Sequence, residues 1–194
     1  MNKALGWAVA LGLSLAAGGC GGGDGDEASS PSTTTSSGYS ESLPPGFPTP
    51  KESTDNPLTD AKIALGRHLF YDPRMSVNQT MACASCHQPA RAFSDGRPTS
   101  IGATGENHPR NAMSLTNVVY NATFNWANPG LATLHAQALI PMFGEFPVEL
   151  GWSDREAEIL DRFRHDPLYQ QLFADAYPGE SDPFTADHVA KGIG

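Results

Sequence analysis

The chain has 194 residues and a formal net charge of −9, with 12 Lys and Arg side chains against 21 Asp and Glu. This length is typical of one domain with an added targeting segment. The acidic balance and the lack of any Lys/Arg cluster argue against a nucleic-acid partner, and they are compatible with a basic redox partner. Only three cysteines are present, and none of them has to form a disulfide.

Residues 1–20 have the pattern of a bacterial export signal. Lys3 precedes an apolar stretch over 4–17, and small residues then lead to Cys20. The stretch is short for a transmembrane helix and matches a secretory signal, so a periplasmic location is expected. The residues before Cys20 resemble a lipobox, which predicts a lipid anchor on this cysteine. Simple cleavage nearby and an uncleaved anchor are the alternatives.

Residues 21–50 are interpreted as a tether. The stretch from Gly21 to about Ser42 consists of Gly, Ser, Thr and acidic residues. It has too few apolar side chains to offset the entropy of ordering, so it is expected to be disordered. The Pro-rich stretch Leu43–Pro50 predicts an extended arm that leads into a domain over 51–194.

The first helix of the domain is signalled by Thr59 as N-cap and Asp60 in the first turn, and Asp72-Pro73 ends it. His68 lies within this helix and is interpreted as a helical histidine rather than an iron ligand. The apolar face of the helix consists of Ile63, Leu65, Leu69 and Phe70.

The most informative motif is Cys83-Ala84-Ser85-Cys86-His87. Cys-x-x-Cys-His is the pattern to which haem is attached covalently in c-type cytochromes. The thiols of Cys83 and Cys86 would bond to the two vinyl groups of one porphyrin, and His87 would be the proximal ligand of the iron. The motif therefore predicts one covalently bound haem c.

Two other interpretations of this motif compete with haem attachment. A structural zinc normally needs four Cys or His ligands from two spaced pairs, and only one pair is present. A thioredoxin-like dithiol would require a βαβ pattern, whereas the flanks of Cys83 are polar and loop-like.

The remaining elements are helices and loops. Gln88–Arg110 is a long Gly/Pro/Ser/Asn-rich loop, interpreted as a pocket wall. Short helices are predicted over 111–120 and 131–139. Ser153–Glu156 is read as a capping box that opens a helix through Arg164.

Asp166-Pro167 is predicted to start the next helix, and residues 187–194 a last one. No strand pattern of useful length is found. The expected fold class is mostly α, a c-type cytochrome-like haem domain with long loops.

The order of several further motifs resembles the bacterial di-haem cytochrome c peroxidases, over roughly Leu43 to Pro183. Within that superfamily the chain looks most like the branch associated with methanobactin and copper-protein operons. The methylamine-utilisation di-haem enzyme, which oxidises tryptophans on a partner protein, is a close cousin. The motifs are the haem motif, Arg91-Ala92-Phe93-Ser94-Asp95-Gly96-Arg97, Arg110-Asn111-Ala112, Asn117-Val118, Tyr120-Asn121, Trp126, Gln137, Pro141 and Val148-Glu149-Leu150-Gly151.

The resemblance implies roles for individual residues. The haem held by His87 would react with hydrogen peroxide, and Gln137 and Glu149 match the distal-pocket pair of the family. Trp126 matches an aromatic residue between the two haems that can relay an electron, with a plain core aromatic as the alternative. Asn111 matches a residue that binds Ca²⁺ in relatives.

The chain departs from the family at two points. Ordinary peroxidases carry a distal histidine where Ala103 stands, so a five-coordinate haem is expected here. His108, in the same loop, is a candidate substitute ligand, although Pro109 and Arg110 favour a surface turn. Relatives also run to about twice this length and hold a second haem motif, so the chain is expected to be C-terminally truncated.

The leading hypothesis is therefore a peroxidase that takes electrons from a cytochrome or a copper protein. The alternatives are an enzyme that oxidises tryptophan on a copper-protein partner, a mono-haem electron carrier and an inactive truncated form. A carrier would use Met113, Met142 or His108 as its second axial ligand.

Overall fold

The computed structural model describes residues 42–50 and 53–194. The predictions for the signal, the lipid anchor at Cys20 and most of the tether lie outside these residues. Three short 3₁₀ turns accompany the helices, at Pro73–Met75, Pro89–Arg91 and Val118–Tyr120. The α-helices are α1 (Asp60–Tyr71), α2 (Cys83–Cys86), α3 (Leu134–Phe143), α4 (Glu156–Arg164), α5 (Pro167–Ala176) and α6 (Ala186–Ile193).

Helices α1 and α5 begin where the sequence signals predict. Thr59 Oγ1 accepts a hydrogen bond from the Lys62 N–H at 3.2 Å, and Asp166 Oδ1 accepts one from the Leu168 N–H at 2.9 Å. Both caps satisfy N–H groups that have no partner inside the helix. Asp72 ends α1 as predicted.

The core lies where α1 packs against α5 and α6 and where α6 packs against α3. Leu65 and Leu69 of α1 are fully buried there, together with Phe173 of α5 and Val189 of α6. The close approach of α1 and α6 depends on Gly66, because a Cβ at this position would overlap the carbonyl oxygen of Gly192. Helix α1 also contacts α2, so the core supports the haem motif.

The C-terminal end of α3 holds the segment 148–152 beside it. The Leu150 N–H donates to the carbonyl of Pro141 at 2.9 Å, and the Trp152 N–H donates to that of Met142 at 2.8 Å. The Trp152 side chain is fully buried, and its Nε1–H donates to the carbonyl of Met75 at 2.7 Å. Trp152 thus joins α3 to the turn that follows α1.

Trp152→Phe is expected to lower the free energy of unfolding by about 1–3 kcal/mol, because the buried carbonyl of Met75 loses its donor. Urea unfolding of the haem-loaded chain measures this change. Trp126→Phe is the matched control, since the Trp126 indole also donates to a carbonyl but is exposed to water. Equal losses in the two variants would contradict the role assigned to Trp152.

A charged cluster ties the Pro73–Met75 turn to α5. The Arg74 guanidinium bonds to both carboxylate oxygens of Asp72 and, at 2.9 Å, to Asp166. The Tyr169 hydroxyl donates to Asp72 at 2.8 Å. Partial burial alone would raise the pKa of Asp72, but the hydrogen bonds from Arg74 and Tyr169 outweigh it and hold this pKa below its ordinary value of 3.8.

This cluster predicts an acid-sensitive contribution to stability. A carboxyl whose pKa is lower in the folded state stabilises the fold above its unfolded pKa, near 4, and the contribution is lost as pH falls through the folded value. Asp72→Asn is therefore expected to destabilise the chain at neutral pH and to flatten the fall in stability below about pH 4. Urea midpoints between pH 2 and 7 measure this, and Asp154→Asn serves as the control.

The helix predicted over 111–120 is wrong, because only Val118–Tyr120 forms a single 3₁₀ turn. Ser114 and Thr116 place their hydroxyls on the carbonyl of Ala92, at 2.6 and 3.2 Å. Asn117 is left-handed, with φ of 56°. Side-chain bonds to the backbone compete with helix formation in such a segment.

The capping box at Ser153 is also wrong, although α4 ends at Arg164 as predicted. The Ser153 hydroxyl donates to the carbonyl of Phe143 at 2.9 Å, and Asp154 is left-handed, so α4 starts at Glu156. The helix predicted over 131–139 lies a few residues later, as α3, because Thr133 is its N-cap.

The predicted fold class is confirmed: the described residues are helices and loops with isolated bridges and no strand. Within 42–50 the arm contacts the domain, since the Tyr120 hydroxyl donates to the carbonyl of Pro48 at 2.9 Å. None of the described helices is long and apolar enough to cross a membrane.

Candidate haem site

The haem motif begins as a single helical turn. The Ala82 N–H donates to Ser85 Oγ at 3.0 Å, and the His87 N–H donates to the carbonyl of Cys83 at 2.9 Å. Cys83 and Cys86 are three positions apart on α2, so their side chains share one face. Both are free thiols and partly buried.

The His87 ring is held in one orientation. Its Nδ1 lies 3.0 Å from the carbonyl oxygen of Phe93, and its centroid lies 6.4 Å from that of the Phe70 ring. The carbonyl accepts only, so Nδ1 carries the proton and Nε2 keeps the lone pair that a metal requires. The backbone between Gln88 and Ser94 is closed by hydrogen bonds, which place the Phe93 carbonyl.

The two thiols suit covalent attachment. Burial raises the pKa of Cys83 to about 12 and that of Cys86 to about 11, so the surroundings favour uncharged sulfur. Thioether bonds to a porphyrin leave both sulfurs uncharged. The residues of the motif therefore fit a haem c that they would hold through Cys83, Cys86 and His87.

The alternatives for the motif lack support in the described part of the chain. No group of three or more His, Cys, Asp or Glu side chains there could hold a metal ion, which a structural zinc would require. The thioredoxin-like interpretation needs a βαβ unit, and the described residues contain no strand.

Glu149 faces the haem motif from a segment that is fixed on three sides. Its carbonyl accepts from the Ala103 N–H at 2.8 Å, and the carbonyl of Leu150 accepts from the Val77 N–H at 2.7 Å. Arg162 of α4 supports this arrangement by donating to the carbonyl of Val77 at 3.0 Å. The third side is the bond between Leu150 and Pro141 at the end of α3. The backbone that carries the Glu149 side chain is thus held in place by hydrogen bonds.

The environment of Glu149 favours proton transfer. Burial raises the pKa of its carboxyl, while the nearby His108 and His87 rings lower it. The net effect is a raised pKa, which brings the group closer to the range where it can both accept and return a proton. The Glu149 side chain remains 41% exposed, and its charge contributes to the raised pKa of Cys83 and Cys86.

Pro109 and Arg110 predict a surface turn for His108, but the structure does not place it on one. Its side chain is only 12% exposed, and its Nδ1 lies 3.7 Å from Glu149 Oε1. The reason is backbone pairing within the loop: the His108 N–H donates to the carbonyl of Ser100 at 2.8 Å, and the Ser100 N–H donates to that of Arg110 at 3.1 Å. This pairing turns the His108 ring inward.

Three other predicted residues are linked by hydrogen bonds. Gln137 on α3 accepts from the Asn125 amide at 3.0 Å, and the Trp126 indole donates to the carbonyl of Asn111 at 3.2 Å. Trp126 is 51% exposed, so the core-aromatic alternative is wrong. Asn111 is exposed as well.

The residues considered as a second axial ligand differ in accessibility. Met142 is 1% exposed and belongs to the main core, so its sulfur is committed to packing. Met113 is partly buried in the loop before Val118. Ala103, where ordinary peroxidases carry histidine, is buried.

The sequence did not identify the contacts that fix the Ala103 loop. Asn78 donates to the carbonyl of Ala103 at 2.6 Å, and the Glu106 carboxylate accepts from the Val148 N–H at 3.2 Å. A Cβ at Gly102 would overlap the carbonyl oxygen of Val148. The two glycines at 102 and 105 were the only sequence signal of a tight turn here.

Comparison with known proteins agrees with this site. Residues 60–194 match the family model described as di-haem cytochrome c peroxidase. The chain belongs to the di-haem cytochrome c peroxidase family. Among curated members, it is 35% identical over 151 residues to methylamine utilization protein MauG of Methylorubrum extorquens, a match that covers 77% of this chain and 40% of that protein. It is 38% identical over 136 residues to cytochrome c peroxidase Ccp of Escherichia coli, covering 70% of this chain and 28% of that protein.

A solved family member shares the fold closely. The crystal structure of a MauG-like protein associated with microbial copper homeostasis superposes with a TM-score of 0.77 at 45% identity, covering 80% of this chain and 45% of that one. The diheme peroxidase BthA from Burkholderia thailandensis superposes with a TM-score of 0.57 at 26% identity, covering 71% of this chain and 38% of that one. The chain therefore spans less than half the length of these family members.

Proposed function

We propose that this chain is the peroxide-reacting haem domain of a di-haem oxidoreductase, and that it reduces hydrogen peroxide with electrons from a redox partner. The observation that carries the proposal is the position of Glu149: its carboxyl lies near enough to Cys83, Cys86 and His87 to interact with them electrostatically, on a segment fixed by three backbone hydrogen bonds. A solvated surface glutamate would need no such support.

The motif residues have distinct tasks in this proposal. Cys83 and Cys86 would hold the porphyrin covalently, and the Nε2 of His87 would ligate the iron while Nδ1–H stays on the Phe93 carbonyl. The haem, when bound, supplies the electron-accepting and electron-donating chemistry that splits the O–O bond.

Glu149 moves the proton. Its carboxylate oxygen accepts a proton from one peroxide oxygen and returns it to the oxygen that leaves as water. Gln137, on α3, holds the peroxide or a water in line through its amide. The Asn125 amide donates to the Gln137 oxygen and so orients that amide.

Trp126 is proposed to pass electrons into the domain from a second haem. Its indole is exposed and anchored to the Asn111 carbonyl, which suits a relay at a surface. A cytochrome or a copper protein is the proposed electron donor. The bond to Trp126 uses the backbone carbonyl of Asn111, and among the described residues no hydrogen bond involves its side-chain oxygen, which suits the proposed Ca²⁺ role.

A second candidate function is oxidation of tryptophan on a copper-protein partner. The likeness that favours it is the 45% identity to a MauG-like protein associated with microbial copper homeostasis. The same Glu149 and Gln137 chemistry would serve both functions, and the electrons would then come from the partner's side chain.

The organisation proposed around this domain is a signal over 1–20, a tether over 21–50 and the haem domain over 51–194. Cys20 would carry a lipid that holds the protein to a membrane surface facing the periplasm. An acidic chain on a tether can still reach soluble redox partners.

The test uses the chain produced in a host that matures c-type cytochromes. Visible and electron paramagnetic resonance spectra are recorded before and after hydrogen peroxide is added. We expect a high-spin ferric haem whose spectrum changes when peroxide is added, at a rate that rises with the peroxide concentration. A low-spin haem that is indifferent to peroxide would contradict the proposal and favour an electron carrier or an inactive form.

The haem-attachment control is the double variant Cys83→Ser, Cys86→Ser, which should carry no haem that survives denaturing electrophoresis. The two candidate functions are then separated by the electron source. Oxidation of a reduced cytochrome c favours the peroxidase, and a mass change in a tryptophan-containing copper-binding protein favours the alternative.

A further inference from the structure

We propose that His108 is a positioning residue for Glu149 and not an axial ligand of the iron. Its imidazole lies beside the Glu149 carboxyl, on the side of the site where peroxide would bind. The proposal rests on the proposed function and deepens it. It assigns a role to a side chain that the family resemblance left only as a substitute ligand.

The pairing is seen in the geometry. Nδ1 of His108 lies 3.7 Å from Oε1 of Glu149, which is too long for a hydrogen bond and within the range of an ion pair. The imidazole is almost fully buried, whereas the carboxyl remains open on its other side. A buried imidazole beside a carboxyl restricts where that carboxyl can turn.

Backbone contacts hold the loop of His108 against the segment of Glu149. The loop that carries His108 is bonded to the segment 148–152, which carries Glu149. The Ala103 N–H of this loop donates to the Glu149 carbonyl at 2.8 Å. It is pinned again through Glu106, whose carboxylate accepts from the Val148 N–H. Moving the backbone of His108 away from Glu149 would require these contacts, or the 2.8 Å bond to Ser100, to break.

Among the described residues, the charged groups that act on the Glu149 carboxyl are His108 and His87. Glu106 has a donor in the Val148 N–H, and His87 would be held by the iron and by the Phe93 carbonyl. Cys83 and Cys86 cannot titrate once they are thioethers. Of the two imidazoles that lower the pKa of Glu149, His108 is the one that the proposed haem leaves unligated, so its replacement tests the pairing.

The experiment measures fluoride binding to the ferric, haem-loaded chain as a function of pH, beside the rate of the peroxide reaction. His108→Gln keeps the side-chain length and removes the imidazole, and His165→Gln, at an exposed histidine, is the control. Without the imidazole, which lowers the pKa of Glu149, the acid limb of the fluoride profile should move to higher pH by about one unit. The control should match the parent chain, and the spin state of the haem should not change in either variant.

A profile for His108→Gln that superimposes on that of the parent chain overturns the pairing. So does a parent haem that is low-spin and becomes high-spin when His108 is replaced, because His108 would then be a ligand. Failure of both chains to bind fluoride overturns it as well, since the pair would face no open site.

The double variant His108→Gln, Glu149→Gln provides a check that does not depend on how well one variant folds. If the pair acts as proposed, His108→Gln shifts the acid limb in the parent background and leaves it unmoved once Glu149 is glutamine. A shift that persists in the Glu149→Gln background overturns the proposal. A chain that binds fluoride with the His108-dependent profile but ignores peroxide supports the pairing and refutes the peroxidase function.

Discussion

Glu149→Gln is expected to slow the reaction of the haem-loaded chain with hydrogen peroxide by about 10²–10⁴-fold, the range in which a positioned acid–base group contributes to catalysis. Glutamine fills the same space and leaves the backbone bond from Ala103 intact, but its amide cannot accept the proton. Stopped-flow absorbance of the haem band at several peroxide concentrations measures the second-order rate constant.

Glu145→Gln is the matched control for this result. Glu145 lies on the same connection after α3, is exposed, and is paired through its backbone with Val148. We expect the control to react at the parent rate. An unchanged rate in Glu149→Gln, with an unchanged haem spectrum, would refute the assignment of Glu149 as the proton-transfer group.

Gly66→Ala is expected to destabilise the fold by about 3 kcal/mol, near the upper end of what overpacking costs. A methyl group at Gly66 would meet the backbone carbonyl of Gly192, and backbone cannot swing aside as the end of a side chain can. Helices α1 and α6 would have to separate, which opens the core around Leu65. Thermal unfolding followed by circular dichroism measures the loss.

Gly192→Ala is the paired variant from the other helix. A Cβ there would lie 3.3 Å from a terminal methyl of Leu65, which can shift. Both changes bring the same gain in helix propensity, so the difference between them isolates the backbone contact. Equal melting temperatures for the two variants would contradict the account of the α1–α6 contact.

Local signals in the sequence predicted part of this fold. Thr59 and Asp166 are capping residues whose hydrogen-bond partners lie within three positions. Their roles can therefore be predicted from the neighbouring residues in the sequence. Ser153 has the local pattern of a capping residue as well, yet its hydroxyl bonds to the carbonyl of Phe143, ten positions away. The helix expected over 111–120 failed for the same kind of reason, because its hydroxyls bond to Ala92. Long-range partners override local preference wherever they satisfy the same polar group.

The candidate site divides in the same way. Cys83, Cys86 and His87 form one contiguous motif whose spacing is dictated by the porphyrin, so chemistry alone points to them. Glu149 could be assigned only through the family resemblance. The burial of His108 could not be read from the sequence, because it depends on the pairing of Ser100 with both His108 and Arg110 across a loop.

The haem motif and Glu149 also differ in how much of the chain must fold before each is in place. The haem motif is a single local turn, and nothing in its own hydrogen bonds requires the rest of the chain. The carboxyl of Glu149 is in place only after residues from the Val77, Ala103 and Pro141 regions have come together. A variant that never completes its fold can therefore still be coloured by bound haem, so pigment content is a measure of maturation and not of a finished active site.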